Sequence, residues 1–193
     1  MELLKKLCEI HAPSGEERPL RDFLIRYFEE NSHLFQHKPE LIYGEEFQDC
    51  LLVKFGKPRT VIFAHMDSIG FTVRYDNQLV PIGGPVAENG FKLVGTDGLG
   101  PVDCQLKVTE DGHLFYEFGR GIERGTSLTF ACDFREDKDF VQSCYLDNRL
   151  GVYNALKVAE TLEDGVIAFS CWEEHGGGTV PFLLKYCYEN YQV

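Results

Sequence analysis

Two adjacent glutamates, Glu173 and Glu174, stand where an apolar run meets three glycines in the stretch FSCWEEHGGGTV. Carboxylates in such a place are costly to desolvate unless a positive charge lies beside them. Because adjacent side chains diverge, one carboxylate can bind a metal ion while its neighbour takes a proton from a water that the ion activates, as in hydrolytic metal sites. The alternative is a pair of solvated carboxylates in a turn.

His65 and Asp67 form a second candidate pair, in the stretch FAHMDSIGF. Residues two apart on extended chain face the same way, so Asp67 can accept the N–H of His65 and leave the other ring nitrogen for a metal. A single histidine after a strand is more often a hydrogen-bonded structural residue. The carboxylate two positions later favours the metal-ligand hypothesis.

Asp147, in the stretch YLDNRLG, is the third candidate. Its alternative role is that of a helix N-cap, which is a common one for aspartate. All three places lie at the end of a predicted strand or in the turn after it, and open α/β sheets bind ligands at the carboxyl ends of their strands. We therefore expect the three places to converge on one site, with nitrogen and oxygen ligands that suit zinc, cobalt or manganese.

Helical spacing predicts the elements that cover the sheet. The N-terminal MELLKKLCEIH is one helix, and Ser14 with Glu17 forms a capping-box pattern that predicts the start of the next. Apolar residues then repeat at helical spacing at Leu20, Phe23, Leu24, Tyr27 and Phe28. Two further helices are predicted, one through residues 150–162 and one in TVPFLLKYCYENY, with Thr179 as N-cap and Pro181 in the first turn.

Short apolar runs predict the strands. CLLVKFG and TVIFAH are predicted to be neighbouring buried strands, and VIAFSCW a third. From about residue 72 to 138 the chain is glycine-rich, and it alternates in QLKV and LFYEF around the turn residues EDG. The pattern predicts an α/β domain, residues 1–71 and 139–193, interrupted by a small barrel-like β-domain at 72–138.

The composition is that of a globular protein, with 193 residues of which 44% are hydrophobic. No apolar run approaches the roughly 20 residues that span a bilayer, and the N-terminus lacks the apolar core of a secretion signal, so no membrane role is expected. Seven scattered cysteines indicate reduced thiols in a cytoplasm. A net charge of −12 with dispersed basic residues argues against nucleic acid as a partner.

Together the motifs resemble the M42 family of metalloaminopeptidases, the group of glutamyl and tetrahedral aminopeptidases. APSGEE, AHMDSIGF, LDNRLG and EEHGGG occur here in that family's order. The resemblance implies a zinc-exopeptidase-like mixed sheet flanked by helices, with an inserted β-domain that mediates dimerisation within larger homo-oligomers. It implies hydrolysis of the N-terminal residue from a peptide substrate.

The same resemblance implies roles for the site residues. His65 binds one of two divalent ions, zinc or cobalt, Asp147 bridges both, and Glu174 binds the second. Glu173 is the general base, and Asp67 is the partner that orients His65. The family also uses a further aspartate and a histidine that follow this region, which implies a C-terminal segment or a separate chain beyond Val193.

Two other functions stay open from the sequence. One is a naturally short, non-catalytic relative that binds peptides or assembles through its β-domain. The other is a different hydrolase with paired carboxylates, such as a glycosidase. Neighbouring glutamates are poorly placed for the latter, because its two carboxyl groups must stand about 5 Å or more apart across the scissile bond.

Overall fold

The computed structural model describes residues 1–193 and contains four α-helices and twelve β-strands. The helices are α1 (Glu2–Glu9), α2 (Arg18–Glu30), α3 (Leu146–Ala159) and α4 (Val180–Tyr191). The strands are β1 (Glu40–Ile42), β2 (Leu51–Phe55), β3 (Val61–His65), β4 (Gly70–Val73), β5 (Leu79–Ile82), β6 (Lys92–Asp97), β7 (Gly100–Val108), β8 (Leu114–Glu117), β9 (Ser127–Phe130), β10 (Arg135–Glu136), β11 (Val141–Gln142) and β12 (Gly165–Ser170).

The first sheet is four-stranded and mixed, in the order β1-β2-β12-β3. Strand β12 pairs antiparallel with β2 and parallel with β3. All six residues of β12 are buried, as its unbroken apolar sequence requires for a central strand. The helices supply the rest of the core, for example through Phe28 of α2, whose ring centroid lies 6.5 Å from that of Phe169. The predicted fold class, a mixed sheet flanked by helices with a barrel-like β-rich part, is confirmed.

The prediction that CLLVKFG and TVIFAH are neighbouring strands is wrong. Both form strands, β2 and β3, but β12 lies between them. The local pattern reveals that each run is extended and apolar, whereas the pairing partner comes from a distant part of the chain. Strand β12 takes the central position because it is the one buried along its whole length.

The second sheet is six-stranded and antiparallel, in the order β5-β4-β9-β6-β7-β8. A bridge between Gln78 and Phe115 brings its two edge strands together, so that the sheet is nearly a closed barrel. Phe71, Leu93 and Leu128 fill the interior and are fully buried. The predicted hairpin around EDG is confirmed as β7 and β8, and the exact limits of the β-domain, 72 and 138, stay a prediction.

The capping box predicted at Ser14 is wrong. Helix α2 begins at Arg18, and the residue in the N-cap position, Glu17, makes no side-chain capping hydrogen bond. The Oγ atom of Ser14 is buried without a hydrogen-bond partner. Pro19 in the first turn suits this later start, because its missing N–H is one that the helix leaves unpaired in any case. The side chain of Glu17 is thereby free to accept a hydrogen bond from the N–H of Trp172.

None of the helices combines the length and the apolar character that a membrane span requires. All seven cysteines are free thiols.

Candidate functional site

The parallel pairing of β3 with β12 brings two of the three motifs together. His65 is in register with Ser170, and the N–H of Met66 donates to the carbonyl oxygen of Ser170 over 2.8 Å. Both strands therefore end at the same edge of the sheet, where the residues that follow them meet. The expected convergence of AHMD with EEHGGG follows from this register.

His65 lies at the centre of the site with its two ring nitrogens in different surroundings. Nδ1 is 3.2 Å from the backbone oxygen of Asp67 and 3.5 Å from its carboxylate. Nε2 faces the other way, 3.0 Å from Asp147 Oδ1 and 3.9 Å from Glu173 Oε2. Asp67 thus orients the ring, and Nε2 points toward the acidic side chains, where it can serve as a ligand.

Asp147 is not the N-cap of α3, so this alternative is wrong. The regular helix begins after Asn148, whose Oδ1 accepts the N–H of Gly151 at 3.0 Å, and Asp147 has the non-helical dihedral angles φ −85° and ψ 108°. The peptide bond between Asp147 and Asn148 is cis. The carboxylate of Asp147 projects into solvent, 87% exposed, with His65 as its neighbour. The helix start is therefore distorted in a way that turns Asp147 toward the histidine.

Arg149 fixes this distorted start to the rest of the site. Its guanidinium is fully buried and donates to the carbonyl oxygens of Leu7 at 3.0 Å, of Ile10 at 3.4 Å and of Met66. Burial lowers the pKa of Arg149 to about 10, which still leaves the group charged at neutral pH. The N-terminal segment, the end of β3 and the start of α3 are joined through this one side chain.

Glu173 and Glu174 lie in a single 3-10 turn, Glu173–His175, directly after β12. The N–H of Glu173 donates to Asp67 Oδ1 at 3.1 Å and the N–H of Glu174 to Asp67 Oδ2 at 2.9 Å. One ligand atom each from His65, Glu173 and Glu174 lies within 4.8 Å of the others. The structure therefore brings all five predicted site residues into one cluster.

Electrostatics in this cluster favour a cation. Burial acts to lower the pKa of His65, but the hydrogen bonds and charges of Asp67, Asp147 and Glu173 raise it to about 9. Burial, with the nearby carboxylates, raises the pKa of Glu174. Although burial acts in the opposite direction, the hydrogen bonds from His65 and from the backbone of Glu174 and Glu173 lower the pKa of Asp67. Negative charge is thus concentrated around one imidazole nitrogen.

The donor set fits a divalent metal ion. It combines an imidazole nitrogen, which would give up its proton on binding a metal and whose ring Asp67 orients, with carboxylate oxygens and no thiolate, which suits zinc or cobalt. The side chain of Glu173 is 58% exposed, so it can reach a water molecule in front of the sheet edge. The roles of the individual ligands stay predictions.

A cavity of about 900 Å³ has Ile69 and Gly84 in its lining, and Gly83 beside them lies against Glu174. The cavity is lined by Ile69 and Tyr145, which are two positions from Asp67 and Asp147, and by the aromatic rings of Phe91 and Phe130. An apolar cavity next to polar groups is the usual form of a small-molecule site.

Sequence reasoning missed two residues that touch the turn of Glu173 and Glu174. The carboxylate of Glu17 accepts the N–H of Trp172 at 3.0 Å. Gly83 has φ +70°, and a Cβ there would lie 3.0 Å from Glu174 Oε2 and 2.9 Å from Ile69. The tandem glycines at 83 and 84 could have indicated that another part of the chain approaches the backbone closely there. The residue that does so, Glu174, lies 91 positions further along the chain than Gly83.

Solved structures share this architecture. The aminopeptidase APDkam598 from the archaeon Desulfurococcus kamchatkensis matches with a TM-score of 0.74 and 25% sequence identity, over 91% of this chain and 56% of that one. The TET1 peptidase of Pyrococcus horikoshii, described as assembling into a tetrahedron or a large octahedral shell, matches with a TM-score of 0.70 and 21% identity, over 98% of this chain and 65% of that one.

A protein described as an endoglucanase, from Thermotoga maritima, matches with a TM-score of 0.72 and 19% identity, over 95% of this chain and 61% of that one. The chain spans less than two thirds of the length of each of these three proteins. No protein-family model and no curated protein matches the sequence.

Proposed function

From a fold shared with the tetrahedral aminopeptidases of the M42 family, we propose that this chain carries the metal-binding part of an aminopeptidase site. The single observation that supports this most is the cluster of His65, Glu173 and Glu174, whose ligand atoms lie within 4.8 Å of one another at the end of two parallel strands. The reaction is hydrolysis of the N-terminal residue of a peptide.

The chain supplies ligands for two divalent ions, zinc or cobalt. His65 and Asp147 would hold one ion, and Asp147 and Glu174 would hold the other. Such an ion supplies Lewis acidity, which lowers the pKa of a water toward 7 and polarises a carbonyl group.

Glu173 acts as the general base and acid. Its carboxylate accepts the proton of the attacking water and delivers it to the nitrogen of the leaving amine. Asp67 takes no proton: it holds the ring of His65 and the backbone of the two glutamates. The side chain of the first substrate residue occupies the cavity between Ile69 and Tyr145.

The β-rich part mediates self-association. The Pyrococcus TET1 peptidase builds closed shells, and we place the contact between copies of this chain on its six-stranded barrel. Seven free thiols suit a reducing compartment, and we place the protein in the cytoplasm.

A glycosidase is the less favoured alternative, although one structural neighbour is described as an endoglucanase. Retaining glycosidases need carboxyl groups about 5 Å or more apart with room for a sugar between them. Here one carboxylate oxygen each of Glu173 and Glu174 lies within 4.8 Å of the other, and a ring nitrogen of His65 lies within the same distance of both. This arrangement suits a cation better than a sugar ring.

The test combines metal content with two assays. The protein, both as residues 1–193 and as the longest natural polypeptide that contains them, is loaded with zinc or cobalt and given aminoacyl-p-nitroanilides and carboxymethylcellulose. We expect metal-dependent release of p-nitroaniline and no reducing sugar. Bound metal without release of any amino acid would favour a non-catalytic relative that binds peptides, and release of sugar would favour the glycosidase.

A further inference from the structure

Glu17 is a buried carboxylate that neither its helix nor an ion pair explains. The residue is 1% exposed, and it makes no side-chain capping hydrogen bond to α2. No lysine, arginine or histidine nitrogen lies within 4.0 Å of it, and Oε2 has no hydrogen-bond partner. Burial raises the pKa of Glu17. The backbone N–H groups of Gly15, Glu17 and Trp172 act to lower this pKa but do not offset burial, and of the three only Trp172 is distant in sequence. A carboxyl group held in such surroundings costs stability, so its contact with Trp172 calls for a role.

That contact is with the turn that carries Glu173 and Glu174. Oε1 of Glu17 accepts the N–H of Trp172 at 3.0 Å, across 155 positions of sequence. Trp172 has φ 63°, the left-handed conformation that a side chain other than glycine adopts only at a cost. The hydrogen bond from Trp172 to Glu17 holds the chain in this conformation at the point where it leaves β12.

Glu17 and Asp67 act on the same turn from two different elements. Three consecutive N–H groups, those of Trp172, Glu173 and Glu174, all donate to buried carboxylates, the first to Glu17 and the other two to Asp67. The direction of a side chain follows from the dihedral angles of its backbone. Fixing three successive amides therefore fixes where the side chains of Glu173 and Glu174 point.

We propose that Glu17 is a positioning residue for the metal site: it holds the amide of Trp172 and thereby directs Glu173 and Glu174 toward His65. This inference rests on the proposed function. It assigns Glu17 no contact with metal or substrate and no proton transfer. Its effect passes entirely through the backbone of the Trp172–Glu174 turn.

The chain contains a natural probe for this role, because Trp172 is its one tryptophan. The emission spectrum of the protein therefore reports on the conformation of this turn alone. Cobalt bound nearby quenches that emission, so one titration measures both the state of the turn and the affinity for metal.

Three variants separate positioning from general stability. Glu17→Gln keeps an acceptor at Oε1, Glu17→Met fills the same space without an acceptor, and Glu16→Gln changes the adjacent glutamate, whose Oε2 accepts from Ser127 instead. We expect Glu17→Met to shift the tryptophan emission and to weaken cobalt binding about 10- to 100-fold, the usual effect of losing a partner behind a metal ligand. Glu17→Gln and Glu16→Gln should bind cobalt with nearly the wild-type dissociation constant.

The outcomes separate this inference from the proposed function. If the wild type binds cobalt and folded Glu17→Met binds it equally well with unchanged emission, the positioning role is overturned and the metal site stands. If the wild type binds no cobalt, the metal site fails. Amide exchange then decides the positioning role alone: the Trp172 N–H should be protected in the wild type and in Glu17→Gln. An unprotected Trp172 N–H in the wild type overturns the inference even if Glu17→Met does not fold.

Discussion

Nε2 of His65 lies 3.0 Å from Oδ1 of Asp147, although 82 positions separate the two residues. His65 ends the strand that precedes the six-stranded barrel, and Asp147 lies in the helix that follows it. An ion held between these two side chains would therefore link the residues that precede the barrel segment to those that follow it.

This relationship predicts that divalent metal stabilises the fold. A ligand that binds only the folded state adds about 2.7 kcal/mol of unfolding free energy at 100 times its dissociation constant. Cobalt or zinc should therefore raise the Tm measured by circular dichroism, and a chelator should reverse the rise. His65→Ala should abolish the metal-dependent rise, whereas His33→Ala, at an exposed histidine, should preserve it. An equal rise in both variants would contradict the assigned ligand.

Substitutions of the two adjacent glutamates should have different effects. Glu173→Gln should retain bound metal and lose turnover by about 10²-fold or more, because a general base contributes 10²- to 10⁴-fold. Glu174→Gln should weaken metal binding itself, since it removes a ligand oxygen. Calorimetric metal titration and the p-nitroanilide assay distinguish the two results. Loss of metal in Glu173→Gln would show that the roles are exchanged or shared.

Asp67→Asn should destabilise the protein. The carboxylate is fully buried and accepts the N–H groups of both Glu173 and Glu174, whereas an asparagine would present an NH₂ group to one of them. One unsatisfied buried donor costs roughly 1–3 kcal/mol, and urea unfolding should show a loss in that range. Asp22→Asn, at a partly exposed aspartate of α2, is the matched control and should cost less. An equal loss of unfolding free energy in the two variants would contradict the structural role assigned to Asp67.

Arg149→Met should be the most damaging of these changes to stability. It removes the donor to the carbonyl oxygens of Ile10 and Met66 and leaves that of Leu7 with only the N–H of Ile10 at 3.4 Å, at a combined cost on the order of 3 kcal/mol or more. Arg26→Met, at an exposed arginine of α2, should change the free energy of unfolding by less than about 0.5 kcal/mol. Urea denaturation of both variants tests the difference, and similar midpoints would refute it.

The contacts and burial of His11 should make the stability of the protein depend on pH. Its ring nitrogens lie 3.0 Å from the hydroxyls of Ser127 and Thr129 on the barrel. Burial, aided by the charge of Arg149 and opposed by that of Glu16, lowers the pKa of His11 below its ordinary value of 6.5. A lowered folded-state pKa means that the unfolded chain takes up the proton first, so stability is complete above about pH 6.5 and is lost as the pH falls below it.

The measurement compares unfolding free energies at pH 7.5 and pH 5.5 in the wild type and in His11→Gln. The wild type should lose more stability than the variant over this interval. His37→Gln serves as the control at a half-exposed histidine, and it should retain the pH dependence of the wild type.

Much of the fold could be predicted from local patterns. The helices α1, α2 and α4, the strands β2, β3 and β12, and the hairpin of β7 and β8 all follow the spacing of apolar residues and the turn chemistry of the sequence. The family resemblance at the level of fold is confirmed by the solved structures. Each of these helices, strands and turns depends on residues that lie close together in the chain.

The errors concern contacts between distant residues. Ser14 and Glu17 have the spacing of a capping box, but Glu17 bonds instead to Trp172, which no local pattern can reveal. The acidic and imidazole side chains of the site could be picked out from the sequence as candidate ligands. The residues that hold them in place, Glu17 and Arg149, could not. Arg149 looks like an ordinary helical arginine until its burial against three carbonyl oxygens is known.

The central position of β12 also has a consequence for the order of folding. Strands β2 and β3 leave the ribosome long before β12, so the first sheet stays open between them while the barrel, whose strands pair within one stretch of chain, can already form. Pairings between distant segments form slowly, because a long loop must close, at a cost in entropy, before any stabilising contact can form. The turn of Glu173 and Glu174 is attached to this late strand. The carboxylates of Glu173 and Glu174 therefore reach His65 only when β12 has inserted between β2 and β3.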